Sequence, residues 1–138
     1  MRLATVRLNN EEQTVIIRND EVVLLRHLNE RLNKQYPLSL LPLIETDLLQ
    51  SLKRDCASLQ QEDWDAVQKF SLDEVHFVAP YRNPTHIFGV GMNYVEKAQD
   101  LQATPVDHAP VCFLKPATSL IGMNESIVLP RVSKRVTA

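Results

Sequence analysis

Leu3, Thr5 and Arg7 alternate with Ala4, Val6 and Leu8, a period of two that belongs to a strand. Thr14 to Ile17 is a β-branched run, and Val22 to Leu25 is continuously apolar. Asn9-Asn10 and Arg18-Asn19-Asp20-Glu21 stand between these runs, and both carry turn chemistry. The pattern predicts a three-stranded antiparallel meander. Leu25, Leu28 and Leu32 then recur at helical spacing, and Pro37 stops that helix. Pro37 and Pro42 bracket a leucine-rich joint. Thr46 is read as an N-cap, with Asp47 favourable in the first turn. Leu48, Leu49, Leu52, Cys56 and Leu59 fall on one face of the helix that follows. A second short helix is predicted to carry Trp64, Val67 and Phe70.

The texture changes after Ser71. Strands are predicted over Val75–Pro80, His86–Gly91, Val111–Pro116 and Ser126–Pro130, with a turn at Tyr81-Arg82-Asn83-Pro84. Asn93 to Leu101 has a helical pattern, and Gln102 to Pro110 is a polar loop. Arg131 to Ala138 adds three positive charges without a stop signal. This divides the chain into a small N-terminal α+β domain, residues 1–72, and a β-rich segment, residues 73–138.

Composition narrows the class. A hydrophobic fraction of 44% is enough to build a core, which argues against disorder along the whole length. The net charge of −2 comes from mixed signs, so nucleic acid and anionic membrane are poor partners. Cys56 and Cys112 are far apart and outside any C-x-x-C, which predicts two buried reduced thiols and a cytoplasmic setting. The N-terminus has no apolar run after its charges, and no stretch is long enough to span a bilayer.

Several motifs fail on inspection. Gly89-Val90-Gly91 follows an apolar strand, but the third glycine of a dinucleotide fingerprint is replaced by Tyr94. His27, His76, His86 and His108 show no metal-ligand spacing, and no G-x-S-x-G is present. What remains is Gly89-Val90-Gly91-Met92-Asn93-Tyr94-Val95-Glu96-Lys97-Ala98, then Phe113-Leu114-Lys115-Pro116-Ala117-Thr118-Ser119, then Ile127-Val128-Leu129-Pro130 and Ser133-Lys134-Arg135-Val136. In this order, from about Pro80 to Ala138, they resemble the fumarylacetoacetate hydrolase family: a strand ending in G-x-N-Y, a short helix, a strand with F-x-K-P, then I-V-L-P. The first part of the chain looks more loosely like the small N-terminal domain of some members.

The resemblance implies a β-sandwich-like roll, commonly dimeric, that uses magnesium and acts on carbon–carbon bonds beside the carbonyl of oxo-acids. The metal there stabilises the enolate formed as the bond breaks. Its ligands are a Glu-x-Glu pair and a later Asp, oxygens suited to a hard cation. The resemblance places that Glu-x-Glu immediately after Ala138, so this chain is expected to hold no metal itself. Two further family positions, a histidine four residues after the Asn and a Glu three beyond it, correspond to Lys97 and Asp100. That pair would be the water-activating catalytic dyad, and both members are substituted. A lysine near its ordinary pKa of about 10.4 has no lone pair to accept a proton, and Asp100 one helical turn on favours its charged form. The simplest reading is an exposed ion pair. Asn93, Tyr94 and Lys115 are the candidate substrate-binding residues. Asn93 also suits an N-cap with Glu96 at N3. Lys115, ending an apolar strand, either snorkels to solvent or, as the resemblance implies, faces the site, to hold a substrate carboxylate or orient a metal-ligand carboxylate. Thr118 and Ser119 read as turn formers.

The expectation is therefore an α+β chain with an incomplete roll, whose open strand edges and uncovered apolar face favour self-association. Three functions compete. The first is a fragment of an oxo-acid hydrolase or decarboxylase, inactive as this chain alone, whose complete form binds a small-molecule oxo-acid and forms a homodimer. The second is a catalytically dead relic or binding module. The third is an unrelated α+β interaction protein.

Overall fold

The structure is a computed structural model, and it describes residues 1–91 and 111–132. These residues fall into two compact units. The first unit takes in residues 1–81 together with the segment that begins at Ile121, and the second takes in residues 82–120.

The first unit is built on the predicted meander. Strands β1 (Arg2–Leu8), β2 (Glu11–Arg18) and β3 (Glu21–Leu24) pair antiparallel in sequence order. Each is joined to the next by two residues. Asn9 and Asn10 have φ of 52° and 64°, and Asn19 and Asp20 have 51° and 63°. Two successive left-handed residues give the hairpin turn whose twist matches that of the strands, and Asn and Asp tolerate it best among side-chain-bearing residues. Helix α1 (Leu25–Leu32) follows at once and ends on Asn33, again left-handed at φ 51°. Helices α2 (Leu40–Glu45), α3 (Leu49–Ser58) and α4 (Gln61–Asp65) complete the layer.

Strand β4 (Lys69–Ser71) adds to the β3 edge and β5 (His76–Phe77) to the β1 edge, giving the order β4-β3-β2-β1-β5. Only residues 72–75 separate β4 from β5, and most of them form a single 3-10 turn, Leu72–Glu74. Such a link reaches about 15 Å. Five strands laid flat would hold the two edges roughly 19 Å apart. The sheet must therefore curl, and both of its faces are apolar. Val6, Val15, Val22 and Leu24 line the inside of the curl, closed by Phe70, Leu72, Val75 and Phe77. Ile16 and Val23 lie on the opposite face and pack with Leu25, Leu28, Leu43, Leu52 and Trp64 of the helices.

The α+β class read from the sequence holds, and four local expectations are corrected. Thr46 is the C-cap of α2 rather than an N-cap, and its hydroxyl donates back to the carbonyl of Pro42. The leucine-rich joint is itself helical, because Pro42 falls in the first turn, where an absent N–H breaks no hydrogen bond. The helix around Trp64 stops at Asp65, and Phe70 pairs opposite Val22 on the sheet. The open β3 edge offers backbone partners that a further helical turn would not. Ser126–Pro130 forms no strand: Ile127, Val128 and Leu129 are exposed and without a ladder. A β-branched run becomes a strand only when another strand pairs with it.

The cysteines also differ from expectation. Neither forms a disulfide, but Cys56 is only half-buried and Cys112 is exposed. Among the described residues, no helix is long and apolar enough to cross a membrane.

Candidate functional site

The second unit contains an antiparallel ribbon of β6 (Ile87–Gly91) and β7 (Val111–Lys115). Its register sets Ile87 opposite Lys115 and Gly89 opposite Phe113. Side chains alternate across a strand, so Phe113 and Lys115 share a face with Ile87 and Gly89. The Phe113 ring lies over Gly89, where an added Cβ would stand 2.3 Å from the ring. The glycine thus makes room for a cross-strand aromatic. Lys115 Nζ sits 5.7 Å from the centre of that ring. A cation over an exposed ring is worth roughly 0.5–1 kcal/mol, enough to bias where the ammonium rests.

At this end of the ribbon a recess of about 450 Å³ is lined by Thr85, His86, Leu114, Lys115 and Pro116, among others. Pro116 leads into a 3-10 turn, Ala117–Ser119, and the Ser119 hydroxyl donates 2.8 Å to the Pro116 carbonyl. Thr118 and Ser119 therefore act as turn formers, as the sequence indicated. His86 stacks on Phe88 with ring centres 5.8 Å apart. The sequence reading had set His86 aside as an ordinary histidine. The signal that brings it to the recess is the Ile87–Lys115 pairing, which carries the residue before Ile87 to the same end of the ribbon.

Lys115 and His86 both border the recess, but the Lys115 ammonium lies towards Phe113 on one face of the ribbon and His86 stacks on Phe88 on the other, so the two are not brought to a single ligand atom. Phe88 is 67% exposed and Leu114 64%, on the face opposite Phe113, so both faces of the ribbon show apolar side chains. Of the candidate residues, Lys115 is thus placed, whereas Asn93, Tyr94, Lys97 and Asp100 lie outside the described residues. Among the described residues, no three His, Cys, Asp or Glu side chains come together as a cation's ligand set would.

Comparison with known proteins bears on the same stretch. Residues 86–138 match the family model described as fumarylacetoacetate (FAA) hydrolase C-terminal. An uncharacterized protein of Archaeoglobus fulgidus is 42% identical over 65 residues, which cover 47% of this chain and 25% of that protein. An uncharacterized protein of Pyrococcus abyssi is 51% identical over 53 residues, 38% of this chain and 23% of the relative. The human mitochondrial oxaloacetate tautomerase FAHD2A is 41% identical over 63 residues, 46% of this chain and 20% of that enzyme. The match thus spans a fifth to a quarter of the length of these relatives.

Proposed function

Since residues 86–138 belong to the fumarylacetoacetate hydrolase family, we propose that this chain is one part of a metal-dependent enzyme acting beside the carbonyl of an oxo-acid. Oxaloacetate tautomerisation, which the human relative's name states, is one such reaction. Hydrolysis or decarboxylation at the neighbouring carbon–carbon bond is another. All of them pass through an enolate, and so share one electrostatic demand. Magnesium, when bound, supplies positive charge beside the enolate oxygen.

The residues of this chain contribute binding. Lys115 takes a substrate carboxylate at the ribbon end, and Asn93 and Tyr94 are further substrate-binding residues. The roll-like fold, a homodimer and a cytoplasmic setting belong to the same reading. By itself the chain turns nothing over. The observation that carries the proposal is the family match running through the strand that ends in Lys115, a residue that borders a recess of ligand size.

The test uses the protein expressed from the complete reading frame in which these residues lie. Lys115→Gln should raise KM for oxaloacetate by about tenfold, the loss expected for one charge-assisted contact to a carboxylate. An unchanged KM would remove Lys115 from the site.

Lys97 at the family's histidine position favours a second reading, a binding module that has lost its base. Lys97→His in the complete protein should raise turnover on acylpyruvates or oxaloacetate. No gain would show that this position was not a base.

A further inference from the structure

The first unit carries a second recess of about 450 Å³ that the family reading does not use. Its buried wall includes Ile16 and Trp64, with the half-buried Cys56 beside them. Around it stand Arg2, Arg18 and Lys53, and no lining residue is acidic. Arg2 is paired with Asp20 at 3.2 Å, out on the β2–β3 turn. Among the described residues, neither Arg18 nor Lys53 has a carboxylate within ion-pair distance.

Arg18 is nevertheless held in place. Its guanidinium lies 4.9 Å from the centre of the Trp64 ring, and two of its nitrogens donate to Gln61 Oε1 at 3.2 and 3.3 Å. Gln61 is itself oriented by its amide, which donates to Asp65 Oδ1 at 3.0 Å. A guanidinium has five N–H donors, so this anchoring leaves some unused. The thiol of Cys56 is pushed up to about 11, mainly by burial, so it is neutral at physiological pH and does not repel an anion.

A preorganised cation, a second cation without a partner and an apolar wall make a complementary surface for charge carried on an oily body. A recess of this volume is of small-molecule size. We infer that this recess binds a small organic anion, a carboxylate on a compact apolar body. Arg18 and Lys53 take the carboxylate, and Ile16, Cys56 and Trp64 receive the body. This site lies wholly within the first unit and does not depend on the function proposed above.

Trp64 is the only tryptophan in the chain, so tryptophan emission comes from a residue in the wall of this recess. The experiment titrates the chain with cyclohexanecarboxylate and, in parallel, with its uncharged isostere cyclohexanecarboxamide. Lys53→Glu is the test variant, because the residue is exposed on α3 and its replacement leaves the core intact; circular dichroism checks the fold. The carboxylate should give a saturable change in Trp64 emission, about tenfold tighter than the amide and about tenfold tighter than in Lys53→Glu. The inference is overturned if acid and amide bind alike, if Lys53→Glu binds like the wild type, or if no saturable response appears below about 10 mM.

Discussion

Gly122 offers the sharpest test of how the first unit is held together. An added Cβ would stand 2.8 Å from Val78 Cα, 2.9 Å from the Phe77 carbonyl oxygen and 3.1 Å from Glu125 Cδ. Its φ lies outside the left-handed region, so contact alone sets the effect of Gly122→Ala. Ordinary carbon contacts begin near 3.5 Å, so the backbone must withdraw by about 0.7 Å or more. Overpacking of that kind costs roughly 1–3 kcal/mol. The contacts that hold this turn together and against β1 and β5 are comparable in size. The Gly122 N–H donates to Glu125 Oε2 at 2.7 Å, and Glu125 Oε1 lies 3.9 Å from Arg7 Nη2 and 3.8 Å from His76 Nε2. One hydrogen bond to a carboxylate and one long surface ion pair amount to about 2 kcal/mol, so the substitution and these contacts nearly cancel. The turn should release while the cores around Val6 and Leu28 persist, since local opening does not require global unfolding. Native-state hydrogen exchange reads this directly. The amide at position 122 should exchange at close to free-peptide rates in the variant, with Val6 and Ile16 still protected. The urea midpoint should fall by no more than the energy of those contacts, about 2 kcal/mol. Unchanged protection at position 122, or a much larger global loss, would refute the reasoning.

Two further predictions concern α1 and its neighbours. The Tyr36 hydroxyl donates to Asp55 Oδ2 at 2.7 Å, and its pKa is pushed up to about 12 by burial and then by that hydrogen bond. The folded value lies above the ordinary one, so this contribution is complete below about pH 10 and is lost as pH climbs towards 12. Asp55 is held below the usual carboxylate range, first by the Tyr36 hydrogen bond, so its contribution is present above about pH 4 and fades in acid. The stability gap between wild type and Tyr36→Phe, followed by thermal melts across pH, should therefore narrow at both extremes; a constant gap would contradict the linkage. Asn29 donates to the Tyr36 carbonyl at 2.8 Å and accepts from its N–H at 3.0 Å. Asn29→Ala should cost about 1–3 kcal/mol in urea melts by leaving two part-buried backbone groups without that partner, and a loss under about 0.5 kcal/mol would mean that water replaces it.

The meander was legible because its signals are local: strand periodicity, and two Asn/Asp pairs whose backbones are in fact left-handed. Helix α1 was legible for the same reason. Phe70 was misread because Trp64, Val67 and Phe70 fit a helical spacing, while the edge of β3 that captures Phe70 lies almost fifty residues earlier. Ser126–Pro130 was misread in the opposite sense, since apolar β-branched residues announce a strand but not its partner. The helix Leu40–Glu45 was hidden by Pro42, which terminates a helix only beyond the first turn. At the candidate site, motif order singled out Lys115, yet the recess around it depends on a cross-strand register that no local pattern encodes. His86 entered by that route.

The central proposal is that these residues contribute binding to an oxo-acid enzyme and by themselves turn nothing over. The most direct test is the rate at which the purified 138-residue chain converts oxaloacetate, measured with and without magnesium. The account predicts no conversion above the solution background at any magnesium concentration. Saturable turnover that required the cation would contradict it.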